Sequence, residues 1–111
     1  MSHMQGISAP QLTPFHQDGR VNLEEYARLS EYLAESGLQG IFVCGTTGEF
    51  VNLTLEERKS LLQAAVKGSK GRCKIMFNVT AMNLQNMKEL CDFARDNGAD
   101  FYVVPFLFKL V

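Results

Sequence analysis

Short apolar runs alternate with longer segments of helical periodicity along this chain of 111 residues. The runs over residues 40–44, 74–79 and 100–105 are continuous rather than alternating, which is typical of strands covered on both faces of a parallel sheet. A weaker run over residues 6–12 precedes the turn signal Asp18-Gly19. The order βαβαβαβ predicts a parallel α/β sheet with helices outside, as either a (β/α)8 barrel or a doubly wound sheet, because periodicity does not choose between them.

Three helices are predicted by apolar stripes that follow a polar N-cap and precede a glycine. The predicted bounds are Asn22 and Gly37, Thr54 and Gly68, and Asn83 and Gly98. The second helix has the clearest start, because Thr54 and Glu57 have the spacing of a capping box.

The charge balance gives little basis for binding nucleic acid or an anionic membrane. Eleven basic residues oppose twelve acidic ones for a net charge of −1, and the basic residues are scattered. The chain contains neither the ~20 consecutive apolar residues of a membrane span nor a signal peptide pattern. We therefore expect a cytoplasmic protein with no nucleic-acid or membrane partner.

The three cysteines, Cys44, Cys73 and Cys91, are odd in number and widely spaced in apolar surroundings. This pattern predicts buried free thiols in a reducing compartment rather than a disulfide framework or a metal site.

The length is less than half of the ~250 residues that a complete (β/α)8 barrel needs. We interpret residues 1–4, Met-Ser-His-Met, as a cloning remnant. If the sheet closes into a barrel, the three helices and four strands predicted in residues 5–111 are only part of it. The apolar tail from Phe106 to Val111 favours a truncated product or fragment.

The string Gly45-Thr46-Thr47-Gly48-Glu49 directly follows the second predicted strand. The carboxyl edge of a parallel sheet is where ligands bind, and glycines, hydroxyls and successive backbone N–H groups suit a small carboxylate. From spacing alone, an ordinary polar βα turn is the more common interpretation, because Gly and Thr are ordinary loop residues. The string matches neither a Walker A loop nor a dinucleotide-binding fingerprint.

Several short segments follow one another in a specific order along the chain: Thr13-Pro14-Phe15, Asp18-Gly19, Val21-Asn22, Gly40-Ile41-Phe42-Val43, Gly45-Thr46-Thr47-Gly48-Glu49, Leu53-Thr54, Glu56-Glu57-Arg58, Gly98-Ala99-Asp100 and Val103-Val104-Pro105. This ordered set resembles the dihydrodipicolinate synthase / N-acetylneuraminate lyase family of pyruvate-dependent class I aldolases.

The resemblance implies a (β/α)8 TIM barrel whose lysine forms a Schiff base with pyruvate or with the keto group of a sugar acid. It implies that residues 5–111 are the N-terminal part of this single domain, with about the first three βα units plus the fourth strand. It implies that Thr47, with its backbone N–H and that of Thr46, holds the pyruvate carboxylate next to Gly45, while the Thr46 hydroxyl serves a proton relay. It further implies an aldehyde partner, a homo-oligomer that is a tetramer in the family, and no metal or diffusible cofactor.

This chain departs from the family in two ways. The family's Schiff-base lysine and phenolic tyrosine lie on the sixth and fifth strands, and none of the six lysines here is placed to replace that lysine, so we expect the chain alone to be inactive. Phe106-Leu107-Phe108 stands where the synthase branch has tyrosines, which favours a lyase or aldolase branch.

Other polar residues have simpler interpretations. We expect His16 to be a solvated loop residue, Glu49 a structural part of its turn, and Cys44 a core residue. Three residues at strand ends either line the barrel mouth or satisfy backbone groups, namely Asn78, Thr80 and Tyr102, of which the first two are the better candidates. Two rival functions remain open: a free-standing half-barrel that serves as a binding or interaction module, and a small doubly wound α/β phosphate binder.

Overall fold

The computed structural model describes residues 7–45 and 53–103. Within these residues four strands alternate with three helices, which confirms the predicted alternation. The strands are β1 (Ser8–Pro10), β2 (Gly40–Val43), β3 (Lys74–Asn78) and β4 (Phe101–Val103), and the helices are α1 (Leu23–Glu35), α2 (Leu55–Ser69) and α3 (Leu84–Asp96). Each of the first three strands is shorter than the apolar run that predicted it.

The order of the strands in the sheet decides between the two predicted architectures. All neighbours pair in parallel, and the spatial order β1-β2-β3-β4 equals the chain order. A doubly wound sheet reverses its direction of growth at a switch point, and no such reversal occurs in the described residues. Helix α1 packs on α2 and α2 packs on α3, as expected when successive right-handed crossovers grow in one direction. The arrangement is that of consecutive βα units of a TIM barrel.

The predicted N-caps are confirmed by hydrogen bonds. The Asn22 side chain accepts from the Glu25 N–H at 3.0 Å, and the Asn83 side chain accepts from the Asn86 N–H at 2.8 Å. Thr54 and Glu57 form the complete capping box. All three helices therefore begin where the sequence predicts.

Gly37 and Gly98 follow α1 and α3 with φ of +89° and +94°, as predicted, but Gly68 does not end α2. That helix continues to Ser69, and Lys70 caps it in the left-handed region. A Cβ atom at Gly68 would lie 2.2 Å from the carbonyl oxygen of Ala27 in α1. Gly68 is therefore a packing glycine at the contact between the two helices.

The core lies between the sheet and the helices. Its largest fully buried apolar side chains are Tyr26, Phe77, Ile41, Leu61, Leu62 and Leu90. All three cysteines are free, but only Cys44 is buried, whereas Cys73 and Cys91 are half-buried. The prediction of buried thiols is thus wrong for the latter two, because each keeps one side open to solvent. None of the described helices is long and apolar enough to cross a membrane.

Candidate functional site at the carboxyl edge of the sheet

The predicted ligand-binding string begins at the carboxyl edge of the sheet. Gly45 follows β2 by two residues, while Thr46, Thr47 and Glu49 lie outside the described residues, so their predicted roles stay predictions. A Cβ atom at Gly45 would lie 3.2 Å from the ring of Phe42. The absence of a side chain therefore lets the backbone pass close to this ring.

Cys44 connects β2 to Gly45 in an unusual backbone conformation. Its φ is +63°, in the left-handed region that costs a non-glycine residue about 1–2 kcal/mol. The side chain is fully buried, and burial raises the pKa of the thiol to about 12, although the nearby Arg58 guanidinium opposes the rise. The thiol is therefore protonated at neutral pH, which confirms the interpretation of Cys44 as a core residue and not a nucleophile.

Asn78 links the ends of β2 and β3. Its Nδ2 donates to the carbonyl oxygen of Cys44 at 2.9 Å, and its Oδ1 accepts from the Thr80 N–H at 2.9 Å. The side chain is completely buried. Of the two interpretations that the sequence allows, the structure selects the satisfaction of backbone groups, because both ends of the amide are committed to the main chain.

Arg58 reaches the same strand end from α2. Its Nη1 donates to the Thr80 carbonyl oxygen at 2.7 Å, and its Nη2 donates to the carbonyl oxygen of Asn78. The residue is only 4% exposed, and burial lowers the pKa of its guanidinium, which nevertheless stays charged as arginine does in proteins. Arg58 thus places a buried positive charge directly beneath the carboxyl edge.

Sequence reasoning did not single out Arg58 as a buried residue. A signal was present, because positions 55, 58, 62 and 65 share one helical face and the other three members are Leu55, Leu62 and Ala65. A cation on an apolar stripe must find partners in the interior, which the strand end supplies.

Two buried hydroxyl groups near this edge have no hydrogen-bond partner within the described part of the chain. They are the hydroxyls of Thr80 and of Tyr26. Tyr26 lies in the first turns of α1, and burial raises the pKa of its hydroxyl well above 10.0. Thr80 follows β3, so its hydroxyl stays a candidate for lining the barrel mouth.

The remaining polar candidates are exposed. His16 lies in a short antiparallel turn, where its N–H donates to the Arg20 carbonyl oxygen and its carbonyl oxygen accepts from Gly19. This placement agrees with a solvated loop histidine. Tyr102 on β4 is 47% exposed.

No lysine in residues 7–45 and 53–103 lies at the carboxyl end of a strand. Lys74 begins β3 and therefore lies at the amino edge, and the others there are on helices or at the end of α2. Lys59 on α2, for example, pairs with Glu89 of α3. Within the same ranges, no three His, Cys, Asp or Glu side chains cluster closely enough to hold a metal ion.

Comparison with known proteins relates the sequence and fold of this chain to one family. The sequence model of the dihydrodipicolinate synthetase family matches residues 3–111. The chain is 36% identical over 110 residues to N-acetylneuraminate lyase from Rattus norvegicus, a match that covers 96% of this chain and 34% of the relative. It is 31% identical over 102 residues to 4-hydroxy-tetrahydrodipicolinate synthase from Methanosphaera stadtmanae, a match that covers 92% of this chain and 34% of that relative.

Solved structures agree with these relatives. Dihydrodipicolinate synthase from Aquifex aeolicus superposes with a TM-score of 0.82 at 35% identity, over 88% of this chain and 33% of that one. N-acetylneuraminate lyase from Proteus mirabilis superposes with a TM-score of 0.86 at 29% identity, over 91% of this chain and 34% of that one. The chain spans about a third of the length of the curated relatives that it matches, and corresponds to an N-terminal piece of their TIM barrel. By sequence and by fold, the chain belongs to the dihydrodipicolinate synthetase family.

Proposed function

We propose that this chain supplies the carboxylate-binding part of an aldolase or lyase that forms a Schiff base with pyruvate. In this proposal Gly45, Thr46 and Thr47 bind the carboxylate of pyruvate, and the Thr46 hydroxyl also relays a proton. The second substrate is an aldehyde, and the whole enzyme is a homo-oligomer. The observation that carries the proposal is the position of Gly45 at the carboxyl edge of a parallel sheet in a chain of this family.

The chemistry divides between this chain and a lysine supplied from elsewhere in the barrel. The lysine amine condenses with the keto group and releases water. The resulting iminium accepts, as an enamine, the electron pair of the bond between its α carbon and the next carbon, which leaves as the aldehyde when its hydroxyl loses a proton. The carboxylate must be held in one orientation for that bond to align with the iminium. Backbone N–H groups and threonine hydroxyls after β2 would provide the donors for this orientation.

The buried charge of Arg58 supports an anion at this edge. Its guanidinium lies beneath the strand ends and makes the local potential positive, while its N–H groups bond to the carbonyl oxygens of Asn78 and Thr80. A carboxylate above the edge is favoured by this charge, because the surrounding core screens it less than water would.

Borohydride trapping tests the proposal. Incubation with pyruvate and borohydride, followed by intact mass measurement, should give one adduct per chain in a protein of the relatives' full length that contains these residues. The chain of residues 1–111 should give none, because its described lysines lie away from the carboxyl edge. Omission of pyruvate and omission of borohydride are the two controls.

Two outcomes would contradict the proposal. A full-length protein without a pyruvate-dependent adduct would refute the Schiff-base mechanism. An adduct on a lysine in the isolated chain of residues 1–111 would refute the proposal that the Schiff-base lysine lies elsewhere in the barrel. The phosphate-binder alternative loses its basis because the strand order is not that of a doubly wound sheet.

A further inference from the structure

We propose that Asn78 and Arg58 are positioning residues that fix the direction in which the chain leaves β2, and through it the carboxylate-binding turn that begins at Gly45. The inference rests on the proposed function for the role of that turn. Neither residue is assigned contact with substrate. Each acts through the backbone of a neighbouring residue.

The first step of the argument is the conformation of Cys44. A left-handed φ at a buried, non-glycine residue persists only where surrounding groups hold it. The Cys44 carbonyl oxygen accepts a hydrogen bond from Asn78 Nδ2 at 2.9 Å, which fixes the plane of the peptide that joins Cys44 to Gly45. Asn78 therefore fixes the orientation of the peptide from which the chain continues at Gly45.

The second step concerns what holds Asn78. Its Oδ1 accepts from the Thr80 N–H, so the amide cannot rotate without the loss of a second bond. Its own carbonyl oxygen accepts from Arg58 Nη2, while Nη1 of the same guanidinium binds the Thr80 carbonyl oxygen. One planar fork thus spans two carbonyls that flank Val79 and makes the end of β3 rigid.

The third step is the direction of the coupling. Helix α2 contributes Arg58, β3 contributes Asn78, and β2 receives the hydrogen bond at Cys44. The direction in which the chain leaves β2 at Cys44 is thereby set by groups that lie more than ten residues away in sequence. Gly45 adds a steric constraint, because a Cβ atom there would lie 3.2 Å from the Phe42 ring, which would have to move slightly to make room.

The test uses an enzyme of the relatives' full length that contains this chain. Asn78→Asp keeps the side-chain shape and the acceptor for Thr80 but removes the donor to Cys44. Arg58→Lys keeps the charge but replaces the planar fork of two nitrogens with a single nitrogen on a flexible chain. Asp100→Ala is the matched control, because the Asp100 carboxylate accepts from the Ile75 N–H at 2.8 Å at the opposite end of β3.

The expected result is a rise of about tenfold in KM for pyruvate in Asn78→Asp, and of at least about threefold in Arg58→Lys, which corresponds to the loss of well-aligned donors. The control should stay within about twofold of the wild type even where its melting temperature falls. A merely structural role would reduce the folded fraction, and so kcat, while KM of the remaining enzyme stayed unchanged. Should Asn78→Asp fail to fold, Arg58→Lys carries the comparison.

Several results would overturn the inference. KM values for pyruvate within about twofold of the wild type in both variants would refute the positioning role. The proposed function would still stand in that case, provided that the wild type gives the borohydride adduct. An equal rise in KM in Asp100→Ala would also overturn the inference. Crystal structures of the variants decide the matter independently of activity: Cys44 should leave the left-handed region in Asn78→Asp and keep it in the control, and an unchanged Cys44 φ in Asn78→Asp would refute the positioning role.

Discussion

The contact between α1 and α2 at Gly68 predicts a large effect from the smallest possible side chain. In Gly68→Ala the new Cβ atom would lie 2.2 Å from the carbonyl oxygen of Ala27 and 3.0 Å from Cβ of Ser30. The first obstacle is backbone, so no side-chain rotation relieves it. To restore ordinary van der Waals contact, α1 must move about 1 Å away from α2.

The magnitude follows from two opposing effects. Insertion of one methyl group into a well-packed contact costs typically 1–3 kcal/mol and occasionally more, and a backbone obstacle places this site at about 3–4 kcal/mol. The exchange of glycine for alanine inside a helix returns about 1 kcal/mol through higher helix propensity. We expect a net loss of about 2–3 kcal/mol in the free energy of unfolding.

Urea unfolding of the wild type and of Gly68→Ala measures this loss. Lys67→Ala is the control, because Lys67 is the adjacent and exposed residue of the same helix. The control should unfold within about 0.5 kcal/mol of the wild type. If Gly68→Ala were as stable as the wild type, the close approach of the two helices at this position would be wrong.

Three further predictions concern the site, the core and the sheet edges. In the full-length enzyme, Thr47→Ala should weaken pyruvate binding by about 1–3 kcal/mol, while Thr46→Val should lower kcat more than it raises KM; wild-type kinetics in both variants would contradict the assignment. Burial raises the pKa of Cys44 from 9.0 to about 12, so the unfolded state loses this proton first, and stability should fall as pH rises between these values. Cys44→Ala should reduce the dependence of the free energy of unfolding on pH, measured by urea unfolding near pH 10. An unchanged pH dependence would assign the effect to other groups. Ile7 is 72% exposed and Leu12 is 60% exposed beside β1, so the isolated chain should associate through its sheet edges or aggregate. Light scattering at micromolar concentration tests this prediction. A monomer of 12.4 kDa that unfolds cooperatively and binds no dye for apolar surface would refute it.

Local signals in the sequence were sufficient to predict the order of the elements and the starts of the helices. The caps at Asn22, Thr54 and Asn83 act within three residues along the chain, so the residue pattern alone predicts them. Gly68 could not be interpreted in this way. A glycine near a helix end and a glycine at a helix crossing look identical in sequence, and only the position of Ala27 on another helix separates them.

The candidate site likewise has one part that local sequence predicts and another that depends on contacts between distant residues. Gly45 could be placed at the carboxyl edge because a turn after a buried strand must lie there. The partners of Asn78 could not be predicted, because its amide bonds to Cys44, which lies 34 residues earlier. Such a contact depends on which strands are neighbours, and periodicity alone left that order open.

The buried guanidinium of Arg58 has a physical explanation in the way β3 ends. Beyond Asn78 the strand no longer pairs regularly, although the Val79 N–H still donates to Val103 at 3.0 Å. The carbonyl oxygens of Asn78 and Thr80 are buried there, and an unsatisfied buried carbonyl costs about 1–3 kcal/mol. A leucine at position 58 would fit the apolar stripe of α2 but would leave both oxygens without this donor. The fork of an arginine satisfies the two together, so the residue that interrupts the stripe is also the residue that completes the strand end beneath the turn.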